Sequence, residues 1–174
     1  MFHARGYQAV GLAALTGALG IKPPSFYKAF GSKADFFARV LDRYSRSVLA
    51  LDDVLTPGRP TTEALADLIE RAAHAYARDP EQRGCLVLEA ARGCDDEESA
   101  ILARRAAEGR RDQIRAFVAR SNPEAADVVT DYVASTMSGL SASAREGMSE
   151  ERLAAIARAA SAGVEALLAM PAKS

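Results

Sequence analysis

Gly20-Ile21-Lys22-Pro23-Pro24-Ser25-Phe26-Tyr27-Lys28-Ala29-Phe30-Gly31-Ser32-Lys33 reads as a turn, a short helix and the capped start of a second helix. Gly20 supplies the turn. Pro23 and Pro24 fall at the first helical positions, where a missing N–H costs nothing and the fixed φ is already helical. Phe26 and Phe30 are four apart and share the buried side, so Ser25, Tyr27 and Lys28 point elsewhere. Ser32 offers a side-chain cap, and Asp35 three residues on makes an acidic variant of the capping box. Loss of such a cap costs typically about 1 kcal/mol.

Outward from this stretch the chain is helical throughout. Before it, Leu12, Leu15 and Leu19 recur at three- and four-residue intervals. After it, Phe36, Phe37, Val40, Leu41, Tyr44, Val48 and Leu51 form one broad apolar stripe, with Arg39, Asp42, Arg43 and Arg46 outside it. The linker Thr56-Pro57-Gly58-Arg59-Pro60 is the clearest break. Thr62 is then the expected cap of a helix ending near Asp79-Pro80. A short apolar segment from Cys85 to Ala91 ends at Gly93, and acids from Asp95 begin a long helix to about Arg120. Asn122-Pro123 and Ser149 are the expected caps of the last two helices. Strict apolar alternation is missing, so the fold class is all-α.

The 174 residues carry a formal net charge of −1, unevenly spread. Residues 1–46 hold seven Lys or Arg against two acids, so the remainder is acidic. A basic head on an acidic body suits an anionic partner that docks on the head alone. No apolar run approaches the ~20 residues of a membrane span, and the Met1-Phe2-His3 start is not a signal peptide, so a cytoplasmic location without membrane attachment is expected. His3 and His74 lack carboxylate or thiol neighbours at ligand spacing, so no metal and no cofactor is expected. Cys85 and Cys94 are too few for a disulfide framework. A thiolate beside Arg83 or Arg92 would be favoured, which suits oxidant sensing, but a small core residue is the plainer reading. No nucleophile with a neighbouring base and no phosphate-binding glycine loop point to an enzyme.

As a combination, Gly6-Tyr7, Leu15-Thr16, Gly20-Ile21, Pro24-Ser25-Phe26-Tyr27, Phe30, Ser32-Lys33 and Phe36-Phe37 resemble the TetR family of bacterial repressors, over about residues 2–52. The resemblance implies a small helix-turn-helix DNA-binding head (1–46) on a larger helical-bundle body (47–174) for ligand binding and dimerisation. It also implies a homodimer on palindromic double-stranded DNA, controlled by an unidentified small-molecule effector. Carried over by position, Lys22, Pro23, Pro24, Ser25 and Lys28 lie in the major groove, while Tyr27 and Lys33 match phosphate contacts. The helix physics is consistent: prolines make an apolar tip for thymine methyls, and Lys28 reaches a purine acceptor or a phosphate.

In the body, His74, Tyr76, Leu86, Leu88 and Phe117 are the candidate cavity residues, though core packing explains them as well. A dimer interface from the last two helices would use Val129, Tyr132, Val133, Leu140, Leu153, Ile156, Ala157, Ala160, Val164 and Leu167, with a monomeric core as the other reading. Two features depart from the family pattern: Phe2-His3-Ala4-Arg5 stand where a full helix precedes Gly6-Tyr7, and Val10 and Gly11 replace hydroxyl residues that touch phosphate. They leave open an alternative, a helical dimerisation protein that no longer binds DNA.

Overall fold

The computed structural model describes residues 1–92 and 97–170; Cys94, the expected break at Gly93 and the expected helix start at Asp95-Asp96 lie outside them. The elements are α1 (Phe2–Arg5), α2 (Leu12–Leu19), α3 (Pro23–Phe30), α4 (Lys33–Val48), α5 (Thr61–Ala77), α6 (Leu86–Arg92), α7 (Glu97–Ala119), α8 (Ala126–Arg145) and α9 (Glu150–Leu168). Single 3-10 turns stand at Leu51–Asp53 and Pro123–Ala125, and no strand occurs among the described residues.

At the N-terminal end α3 packs on α2 and on α4. Gly20 ends α2 in the left-handed conformation (φ 65°), which a glycine adopts without strain. Ser32 Oγ accepts the Asp35 N–H at 3.0 Å, as expected of the cap. Asp35 does not reach back to the Ser32 N–H, however; its carboxylate accepts the Ser32 hydroxyl at 2.7 Å. The shorter aspartate closes the box through the hydroxyl. Phe2 is buried against Tyr7, Phe36 and Phe37, and Phe26 against Phe30 and Phe36. Leu19, expected on the buried face of α2, is exposed at the last position of the helix, beside the Gly20 turn.

α5 forms the spine of the body, packed against α8 and α9, while α7 lies along α6 and α8 and meets α4. Ser149 caps α9 as expected, accepting the Arg152 N–H. Two other expected caps are corrected. α5 begins at Thr61 behind Pro60, with no side-chain cap, and so Thr62 lies inside the helix. Asn122 makes no cap bond either, because the Pro123–Ala125 turn intervenes before α8. One cluster of buried side chains runs from Phe2 through Leu41 and Tyr76 to Val164, joining head and body.

Candidate nucleic-acid interface and the body that controls it

α3 is eight residues long, too short to be stable alone, since isolated helices under ~12–15 residues are marginal in water. Its inner side is anchored by Phe26, 0% exposed. Its outer side consists of Pro23, Pro24, Ser25, Tyr27 and Lys28, all exposed, led by the exposed N-cap Lys22. Tyr27 leaves 52% of its surface free, a large value for an aromatic residue. Lys33, the first residue of α4, rests its ammonium over the Tyr7 ring, 4.0 Å from the centroid. Lys22, Lys28 and Lys33 enter no ion pair among the described residues, whereas Arg46 is paired with Asp42 and Arg39 stacks on Phe30. The head therefore offers an un-neutralised basic face around a short helix. All seven residues expected to touch DNA belong to α3, its N-cap or the first turn of α4. The Val10-Gly11 departure is also visible: Val10 is buried and Gly11 starts α2 without a side-chain cap.

The body contains a cavity of about 360 Å³ between α5, α6, α7 and α8. Of the five residues expected there, only Tyr76 and Leu88 line it. His74 is corrected to the outer surface, where it meets Glu150 of α9, because it lies off the apolar stripe of α5. Leu86 faces the head beside Phe2 and His3, on the side of α6 turned away from the cavity. Phe117 is buried but not on the wall, which α7 supplies from Arg104 to Ile114. The reading of the sequence missed Cys85, Arg110 and Met137 on that wall. Cys85 is a buried thiol. Tyr44 and Tyr76 stand beside it, their phenol pKa values pushed up by burial first and by Cys85 next.

Hydrogen bonds tie the cavity region to the head. Tyr44 of α4 donates to the Gly84 carbonyl at 3.4 Å, and Arg110 of α7 donates to the carbonyls of Leu49 (2.9 Å) and Ser45 (3.3 Å). Arg145 of α8 donates to the His3 carbonyl at 3.1 Å. None of these partners was visible from local spacing, since the residues are 40 or more positions apart.

α8 and α9 supply the outer face expected to meet a second copy, but most of the expected residues are corrected inward. Val129, Val133, Leu140, Leu153, Ala157, Ala160 and Val164 are buried within this chain. Tyr132, Ile156 and Leu167 keep exposed surface, and Val128, 51% exposed, adds to them. Gly163 lets α9 pass under the Tyr132 ring, which a Cβ there would strike.

The first forty residues match the family model for bacterial regulatory proteins of the tetR family, residues 1–40. The chain is 41% identical over 169 residues to the HTH-type transcriptional repressor BdcR of Escherichia coli (strain K12), covering 97% of this chain and 85% of that one. It is 28% identical over 168 residues to the HTH-type transcriptional repressor ComR of the same organism, covering 90% of this chain and 80% of that one. Among solved structures it resembles a cysteine mutant of the TetR family transcriptional regulator CifR complexed with 26-base-pair operator DNA: TM-score 0.76, 31% identity, 98% of this chain and 91% of that one. A short helix presenting an unpaired basic face, the continuous helical body behind it and these likenesses agree: the chain belongs to the TetR family of bacterial regulatory proteins.

Proposed function

We propose that this regulator is a repressor that binds a palindromic operator as a homodimer and is controlled by a small molecule in the body cavity. The observation that carries the reading is the outer side of α3, where Lys22 to Lys28 are exposed over the fully buried Phe26. Pro23, Pro24, Ser25 and Lys28 meet base edges and sugars, while Tyr27 and Lys33 hold phosphates beside the N–H groups that open α4. The division between DNA-binding and regulatory parts falls within α4, near residue 46. Two α3 helices enter successive major grooves about 34 Å apart. The dimer forms through the outer face of α8 and α9, with Val128, Tyr132, Ile156 and Leu167 in contact.

The relatives support this reading, two of them being named repressors and one being captured on operator DNA. Selection from a random duplex pool tests it. The expected product is an enriched palindrome whose half-sites lie about one helical turn apart. A pool that stays unenriched over an intact dimer refutes it.

A further inference from the structure

We propose that the body cavity takes a small carboxylate on an apolar stem, and that this carboxylate competes with the end of α4 for the guanidinium of Arg110. The proposal rests on the effector-controlled reading above and names the chemical class of that effector.

On the inner face of α7 the positions in register are Ala103, Ala107, Arg110 and Ile114. Arg110 is the one charged member of this set, half-buried and on the cavity wall. Among the described residues its hydrogen bonds go to neutral acceptors, the Leu49 and Ser45 carbonyls that close the last turn of α4. No carboxylate pairs with it among the described residues, whereas the neighbouring Arg111 meets Asp131 at 3.2 Å. Asp42, Asp52 and Asp53 border the outer side of Arg110 without pairing with it. A half-buried guanidinium held by carbonyls alone gains from a carboxylate, which neutralises its charge and offers two coplanar oxygens that match the fork, as two separate carbonyls do not.

The rest of the cavity fits the other half of such a ligand. Leu88, Ile114 and Met137 make apolar walls. Beside Arg110, the inner end carries the Tyr76 phenol and the Cys85 thiol, both buried. The raised pKa of Tyr76 keeps its hydroxyl protonated and able to donate. Glu108, the one acid on the wall, is exposed at the mouth with Arg104 and Arg111, away from the inner end. A carboxylate at the inner end thus meets Arg110 and Tyr76, and its stem lies along the apolar wall.

Occupation would have a direct consequence for the head. When the carboxylate takes the Arg110 N–H groups, the Ser45 and Leu49 carbonyls lose their partner on α7. The last turn of α4 is untied from the body, and α4 carries Ser32 and Lys33 at its other end. The carboxylate therefore has differential affinity for the two arrangements of α4, as a population shift requires.

Calorimetry of the full dimer with octanoate, octanamide and octanol tests the proposal, alongside release from a selected operator. Octanoate is expected to bind about tenfold or more tighter than the two neutral probes and to release the operator. Arg110→Gln is expected to lower operator affinity and to abolish the preference for octanoate. Arg105→Gln, which removes the same charge from the outer groove, keeps the preference. Equal binding of the three probes, no binding of octanoate to a dimer that holds its operator, or a preference that survives Arg110→Gln overturns the proposal. If Arg110→Gln does not fold, the three probes on the unaltered protein decide alone. Failure of the unliganded dimer to bind any operator would instead sink the regulator reading.

Discussion

Phe26→Ala should disorder α3 while leaving the body folded. The Phe26 side chain is fully buried, with its ring centroid 5.0 Å from Phe30, 5.3 Å from Phe36 and 6.0 Å from Tyr27. Truncating a buried phenylalanine costs about 3–5 kcal/mol, of which each aromatic pair accounts for roughly 0.5–1.5. That is a large part of a typical domain stability of about 5–15 kcal/mol. The loss is local, because α3 packs on α2 and α4, whereas α8 and α9 are held by Leu65, Val129 and Leu153 against α5. Amide hydrogen exchange read by mass spectrometry resolves the two regions. Protection of α2 and α3 should fall by about a hundredfold or more, since 1.4 kcal/mol is a factor of ten, with α8 and α9 nearly unchanged. Phe26→Leu should cost far less. If α3 keeps its protection in the alanine variant, or if α8 and α9 lose theirs equally, the head is not held by this anchor and the reasoning fails.

Other outcomes follow from single features. Burial, then the charge of Arg145, holds the His3 imidazole below its ordinary value near 6.5, and its Nε2 has no hydrogen-bond partner. The folded state therefore resists protonation: the contribution to stability is full above the unfolded value and falls as pH drops through 6.5 toward the lowered one. Arg145 opposes the charge, while Glu89 offsets it in part. His3→Phe should flatten the melting temperature below pH 6.5, and an unchanged pH profile would count against the assignment. Gly84→Ala combines a left-handed backbone (φ 81°) with a Cβ 3.0 Å from the Ser141 carbonyl oxygen. It should cost more than Gly20→Ala, whose Cβ meets nothing within 4 Å, and roughly 1–3 kcal/mol for the backbone alone, read from urea midpoints. Ile156→Glu, on the open face of α9, should give a folded monomer by light scattering; a persistent dimer would place the interface elsewhere.

The parts of the fold that follow from local chemistry were legible in the chain. Ser32 and Ser149 stand four residues before the first large apolar side chains of their helices, Phe36 and Leu153, and both cap; Pro23 and Pro24 open α3 at its first positions. Thr62 misled because Pro60, with φ fixed near the helical range, leads the chain into α5 one residue earlier. Periodicity also cannot tell a side chain buried by its own chain from one buried by a second copy, which is why Val129, Leu153 and Val164 were grouped with Tyr132 and Ile156. The residues proposed to face DNA lie within twelve consecutive positions of one motif, so the sequence alone brings them together. The cavity was less so. Its wall joins Tyr76, Arg110 and Met137 from three helices with Cys85 from the loop before α6, and no spacing within one helix reports which turns of the others face it.

The most direct test of the central claim, that α3 and the start of α4 form a DNA-binding face, is fluorescence anisotropy of the dimer on a selected operator across salt concentrations. The account predicts a steep linear fall of log affinity with log salt, lowered by about 1 for each phosphate contact that Lys33→Ala removes from a subunit. Binding that is absent, or that does not respond to salt while the dimer stays intact, would contradict it.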